Sequence, residues 1–233
     1  MPKTLQASEI DLAKLEELFA IAQSRDADFF DEWCDDLPKL TENEHFSLDD
    51  LKADYLHLSK HSLLEPLVKM VVLSPILKLA GFYRNPFYLK AEQVVNILSQ
   101  DQDILVQGRI DVLVFKPPFW VVVIEAKRAA YSVEVGIPQA LTYMMANPHP
   151  DRPVFGLVTN GSEFIFLKLQ LQDSLKYAES DLFSIKRGND LYTVVSILKH
   201  LAQLAILSRL CRNGYIRVKI GIKINYGNFS TCD

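Results

Sequence analysis

Apolar residues recur at helical spacing over the first third of the chain and at alternate positions over its middle. Within 8–33, Leu12, Leu15, Leu18, Phe19 and Ile21 group on one face, which predicts a helix. LPKLTENE reads as a break. SLDDLKADYLHL restarts a helix with Ser47 as its N-cap. A longer helix is expected over about 63–79, kinked or split at Pro75 and stopped by Gly81. From about Phe87 the period shortens to that of strands. AEQVVNIL, GRIDVLVF and FWVVVIEAKR predict three strands, the last two joined by a tight KPP turn. VEVGIPQALTYMMA is helical, with Pro138 tolerated in its first turn. VFGLVTNGSEFIFLKL predicts a hairpin about a two-residue Asn160-Gly161 turn. An amphipathic helix over about 190–210 follows. The tail IRVKIGIKINYGNFSTCD alternates, as either an extra strand or a loosely held segment.

The order of elements is helix, three-strand meander, crossover helix and two more strands. That is an α/β fold with a mixed sheet flanked by helices. The expected division is an N-terminal helical arm over 1–62, a main domain over 63–210 and a tail over 211–233, with the first helices as a small lobe of their own. No internal repeat, low-complexity tract or linker divides the chain.

Composition narrows the classes. At 233 residues, 49% hydrophobic and 23% charged, the chain has the profile of one globular domain. Cys34, Cys211 and Cys232 are far apart and odd in number, and no Cys/His spacing resembles a zinc site. Reduced thiols in a cytoplasmic protein are expected. The N-terminus carries acidic residues where a signal peptide would be basic, and no unbroken apolar run approaches a membrane span of ~18 residues. No membrane is expected. The net charge of −4 conceals a split: residues 1–65 hold 16 acidic and 6 basic side chains, and the remainder 13 and 19. The part that follows the arm is therefore basic, as a nucleic-acid partner requires. The acidic arm is either a plain solvated surface or a shield over the basic one.

The second and third strands carry the chemistry. Alternate residues of a strand share a face. Asp111, Leu113 and Phe115 share one on the second strand; Phe119, Val121, Val123, Glu125 and Lys127 share one on the third. Antiparallel pairing with its tip at Pro118 sets Asp111 opposite Glu125. Two carboxylates and an amine then converge where the sheet meets solvent. An ion pair with Lys127 is the bland reading, but it leaves the second carboxylate unpaired beside the first. A magnesium ion, which takes one or two carboxylates plus waters and phosphate oxygens, removes that conflict. Asp111 and Glu125, helped by the carbonyl of Ala126, would hold it, and Lys127 would serve an attacking water in phosphodiester hydrolysis. Gln139 and Tyr143 stand four apart on the crossover helix and so stack on one face. Alone they read as a surface Gln and a half-buried Tyr; their place after Glu125-Ala126-Lys127 favours a supporting role.

Asp111, then Glu125-Ala126-Lys127, then Gln139-Ala-Leu-Thr-Tyr143 resembles the PD-(D/E)XK nuclease superfamily. More closely, it resembles the N-terminal nuclease domain of type I restriction enzyme R subunits and short stand-alone relatives. Glu65, opening a helix that runs into SPILKLAGF, is similar to the family's first-helix glutamate. Leu157-Val-Thr159-Asn160-Gly161 is similar to its Thr-Asn-Gly hairpin. The resemblance spans about 65–170. It implies a restriction-endonuclease-like αβββαβ core and DNA cleavage, with magnesium as the cofactor and manganese as a substitute. It gives Glu65, Asp111, Glu125, Lys127, Gln139 and Tyr143 catalytic or supporting roles. Ile110 stands where the motif's name has proline. The R subunits carry an ATP-driven motor, and no Gly-x-x-x-x-Gly-Lys-Ser/Thr loop occurs here. DNA is the implied partner, together with a separate motor or specificity subunit, and a homodimer would supply the two sites of a double-strand cut. The competing reading is a non-cleaving nucleic-acid-binding module or accessory subunit that keeps the fold. The His57/His61 pair, Lys186-Arg187 and the basic set Arg209, Arg212, Arg217, Lys219 and Lys223 read as surface.

Overall fold

Helices lie on both faces of a mixed ten-stranded sheet in the computed structural model, which describes residues 3–99, 104–171, 174–207 and 222–224. The N-terminal part holds β1 (Lys3–Gln6), α1 (Leu12–Phe19), β2 (Ala22–Gln23) and α2 (Glu42–Leu58). Then come α3 (Glu65–Val68), a π-helical turn over Lys69–Leu73 and α4 (Ser74–Leu79). The meander is β3 (Tyr88–Ser99), β4 (Ile104–Lys116) and β5 (Phe119–Ala126), followed by the crossover helix α5 (Ile137–Met145). After it lie β6 (Val154–Thr159), β7 (Glu163–Gln170), β8 (Lys176–Glu179), β9 (Phe183–Ser184), α6 (Asp190–Leu207) and β10 (Ile222–Ile224). The sheet runs β10-β3-β4-β5-β6-β7-β8-β2, with β1 beside β4 and β9 beside β7. β6 lies parallel to β5 across the α5 crossover, so the expected αβββαβ order is present in a mixed α/β fold.

Two apolar clusters sandwich the sheet. One gathers α2, the 65–79 helical segment and α6, through Leu51, Leu73, Leu77, Val194 and Leu198. The other gathers α1 and α5, through Leu15, Leu18, Leu141 and Met144. The 1–62 segment does not stand apart: α2 enters the first cluster, α1 the second, and β1 and β2 join the sheet. Its acidic stretch is packed too. Glu32 pairs with Lys168 at 2.6 Å, and Trp33 meets Phe183 edge-on.

Several boundaries differ from the sequence reading. The helix expected over 8–33 stops at Phe19, because Ala20 turns left-handed at φ 52°, and β2 follows. Ser47 is not a cap. The helix starts five residues earlier, where Thr41 and Glu44 form a reciprocal capping box. His61 lies beyond the end of α2, so it does not stack on His57. Around Pro75 the chain winds a π turn rather than kinking; a proline has no N–H to give the carbonyl four residues back. Gly81 ends that segment at φ 90°. The β6–β7 connection has three residues, not two. Asn160 Oδ1 accepts from the N–H groups of Ser162 and Glu163, and Gly161 takes φ 87°. Of the tail, Ile222–Ile224 pairs antiparallel with Ile97–Ser99; Arg209, Arg212, Arg217, Lys219, Cys211 and Cys232 lie outside the described residues. α6 is long and apolar enough by length and composition to cross a membrane, yet Leu191, Val194, Ile197 and Leu201 sit in the protein's own core.

One glycine sets how closely α5 approaches the sheet. A Cβ at Gly108 would lie 2.4 Å from Tyr143 Cε1 and 2.9 Å from Ala7 Cβ. Gly108→Ala is expected to destabilise the fold by about 1–3 kcal/mol through overpacking, as read by urea unfolding. Parental stability would show that Tyr143 moves aside without cost.

Candidate active site

Strand register delivers the two carboxylates. β4 and β5 pair antiparallel, and Asp111 and Glu125 stand one step beyond the Val112–Ile124 pair. Asp111 Oδ2 accepts the Ala126 N–H at 2.8 Å, which stitches this end of the hairpin. Leu113 and Val123, next along, are buried together on the α5 side. The expected apolar-to-charged gradient along one face is present.

β3 departs from its ladder at the same point. Ala91 pairs with Val112 and Gln93 with Ile110, while Glu92, between them, takes φ 56°. That region is uncommon for any residue with a Cβ and tends to cluster at functional positions. Ile110 and Leu113, an odd number of residues apart, are both buried in the α5-side cluster, so β4 changes facing at Asp111. The outcome is a carboxylate on each of three adjacent strands.

The side chains form two linked networks. In the first, Lys127 Nζ donates to Glu125 Oε1 at 2.8 Å and to Gln139 Oε1 at 2.6 Å. Gln139 Nε2 donates to the Tyr143 hydroxyl at 2.6 Å, which also accepts the Arg109 backbone N–H at 3.3 Å. Gln139 thus turns its carbonyl to the ammonium and its amide nitrogen to the phenol. Gly136 makes room beneath: a Cβ there would lie 2.5 Å from Val158 Cγ1 and 3.2 Å from Lys127 Cε. In the second network, Lys69 Nζ binds Asp111 Oδ1 at 2.6 Å and Glu65 Oε1 at 2.8 Å, with Glu92 Oε1 at 3.6 Å. Glu92 also accepts from Arg109 at 3.0 Å.

All the residues expected at the site from the sequence therefore meet, Glu65 through Lys69. Lys69, Glu92 and Gly136 were missed. Lys69 falls four residues after Glu65, a spacing that signals a helical ion pair and nothing of Asp111. Glu92 sits in a strand pattern that gives no sign of the left-handed turn.

Electrostatics sharpen the picture. Burial, and then the neighbouring Asp111 charge, push the Glu125 carboxyl up to about 8, against the pull of Lys127. Asp111 is also raised, by burial, with Lys69 and the Ala126 N–H opposing. Burial raises Tyr143 to about 12, so it stays a neutral phenol. Glu125 Oε2 is buried and has no hydrogen-bond partner among the described residues. Such an oxygen calls for a cation or donor. Among the described residues no three His, Cys, Asp or Glu side chains are grouped to hold a metal ion. The donors on offer are Asp111, Glu125 and the Ala126 carbonyl. That set fits magnesium, which often takes only one or two protein carboxylates and fills its shell with water and phosphate oxygen. A bound cation would compete with Lys69 for Asp111 Oδ1.

No family model matches the chain, and no curated protein matches it. Among solved structures it is similar to a fragment assigned to an HsdR subunit of a type I restriction enzyme from Vibrio vulnificus YJ016. The two share 23% identity with a TM-score of 0.38. The match covers 61% of this chain and 26% of that one, so this chain corresponds to about a quarter of its length. A likeness at this level does not reach activity or partners.

A carboxyl raised to about 8 inverts the usual pH dependence of an acid. Above the ordinary carboxylate range, the folded protein keeps a proton at Glu125 that the unfolded chain has lost. Stability therefore falls as pH rises through that window towards 8. In metal-free buffer the Tm is expected to fall from pH 5 to pH 8, and Glu125→Gln to flatten that fall. An identical slope in parent and variant would refute the raised carboxyl.

Proposed function

We propose that this chain is a magnesium-dependent DNA endonuclease, with manganese as a substitute metal. The observation that carries the reading is the facing pair Asp111 and Glu125, with Lys127 hydrogen-bonded to Glu125 and Glu125 Oε2 left without a partner. Paired carboxylates with a raised pKa beside an amine are wasteful as structure and useful for hydrolysis. Asp111, Glu125 and the Ala126 carbonyl would hold the metal. When bound, it supplies charge stabilisation at the phosphate and a more acidic water.

The chain's own residues do the rest. Lys127, steered by Gln139, is placed to orient a water and to meet developing charge on a phosphate oxygen. Tyr143 anchors Gln139 and ties it to the β4 backbone at Arg109. These two are positioning residues, because each reaches the reaction through Lys127. Lys69 neutralises Asp111 and Glu65 while no other cation does so; burial alone would lower its pKa, but its hydrogen bonds to those two carboxylates and their charges raise it. Glu65 would then be a more distant carboxylate acting on Asp111 through Lys69. A cytoplasmic role in restriction or defence, with a separate motor or specificity subunit or as a homodimer, is part of the same proposal.

The test is nicking of supercoiled plasmid with magnesium, manganese or EDTA. Asp111→Asn and Glu125→Gln are each expected to abolish cleavage with the circular dichroism spectrum unchanged. Nicking at the parental rate by either variant would remove the assignment. DNA binding without cleavage by the parent would instead favour the non-cleaving module.

Lys127→Ala is expected to keep metal and DNA binding and to cut far more slowly. Gln139→Ala and Tyr143→Phe should cost less, about 10–100-fold, as groups that orient a working residue do. A fully active Lys127→Ala would reduce Lys127 to an ion-pair partner.

A further inference from the structure

One edge of β4 is paired by β3 along nearly all its length, but the other changes partner. Lys3–Gln6 runs parallel along Ile104–Gln107, and β5 runs antiparallel along Val112–Lys116. Between these, at 108–111, no described strand covers the edge, and the Arg109 N–H goes to Tyr143 instead. This fork opens into a cavity of about 420 Å³, bounded by Glu92, Gln139 and Tyr143 of the candidate active site and extending to Gln6, Asn96 and Gln107. The volume is within the range of small-ligand sites.

The walls have a definite chemistry. Gln139 is committed to Lys127 and Tyr143, whereas the amides of Gln6, Asn96 and Gln107 hold no hydrogen bond among the described residues. Asn96 Oδ1 is buried without a partner, a state folded proteins rarely leave unexplained. Asn96 and Gln107 are direct cross-strand partners, so their amides stand side by side on one face. Arg109, the next pair along, has its charge matched by Glu92 at 3.0 Å. The cavity thus offers paired donors and acceptors with little net charge. A bare phosphate would find no free cation there. The edge of a nucleobase, which carries donors and acceptors at the spacing of an Asn or Gln amide, is the complementary surface. The Arg109 guanidinium adds a plane on which a ring can stack.

We infer that the fork is a nucleobase-reading pocket that seats one unpaired or extruded base of the strand cut at Asp111 and Glu125. The inference rests on the nuclease reading for its substrate. Gln107 lies four residues from Asp111 along β4, about 13 Å at strand rise. A base held in the duplex stack cannot reach a pocket set between strand edges, so the one read here is single-stranded or flipped.

The test uses the full chain in metal-free buffer, titrated by calorimetry with dAMP, dGMP, dCMP, dTMP and base-free deoxyribose 5-phosphate. At least one nucleotide is expected to bind about tenfold or more tightly than deoxyribose 5-phosphate, the scale of one amide–base pair. Asn96→Ala and Gln107→Ala should each remove most of that preference. Equal binding of all five ligands, or none, overturns the pocket, and this comparison needs only the parent protein. So does a preference that both folded variants retain. Plasmid nicking with magnesium separates the two ideas. Nicking with no base preference removes the pocket alone, whereas base preference without nicking supports the pocket and removes the nuclease reading.

Discussion

The structure is organised around one costly arrangement: the Glu125 carboxylate, buried at the end of a central strand with the Asp111 carboxylate opposite it. Burying charge in this way is unfavourable unless neighbours compensate. Lys127 reaches one oxygen of Glu125, and Lys69 reaches one oxygen of Asp111. Gln139, Tyr143 and the bare backbone at Gly136 then fix where Lys127 can go. The compensation is incomplete, since Glu125 Oε2 has no partner among the described residues. Raised by burial and by Asp111, the Glu125 carboxyl holds its proton into the neutral range rather than standing as a buried unpaired charge.

Residues acting through alternation and short spacing were legible in the sequence. Asp111 facing Glu125 follows from the hairpin geometry alone, and the four-residue step from Gln139 to Tyr143 follows from the helix. The same holds for the αβββαβ order. What stayed hidden depends on contacts distant in sequence. Lys69 meets Asp111 across 42 positions. β1 is a strand only because β4 offers it an edge; KTLQ has little strand signal of its own. The helix over 8–33 was overextended because Ile21 keeps helical spacing after Ala20 has already turned the chain. Ser47 imitates a cap because the stronger signal, Thr41 with Glu44, lies inside a stretch that reads as a break.

Glu92 shows how a local distortion can create chemistry. A regular β3 would continue the ladder through Glu92, and its carboxylate would follow the strand's alternation. Left-handed backbone here costs on the order of 1–3 kcal/mol. In return, the carboxylate reaches both Lys69 and Arg109, which links the Asp111 end of the fork to its amide-lined end. Ile110, directly before Asp111, remains in the core, so the turn of β4 presents Asp111 without loss of apolar burial.

The two partners of β4 differ in how far the chain must travel to bring them together. β5 follows β4 after a two-residue turn, so Asp111 and Glu125 meet through a short hairpin. β1 pairs with β4 across about a hundred positions, as Leu5 with Val106. Closing so long a loop has an entropic cost that the hairpin never meets, and contacts of that kind form late. The carboxylate pair is therefore a local structure, whereas the fork beside it exists only once the two ends of a long loop have met. The walls at Gln6 and Ala7 come from the far side of that loop, so the shape of the fork reports on the whole fold, whereas the meeting of Asp111 and Glu125 reports on one hairpin.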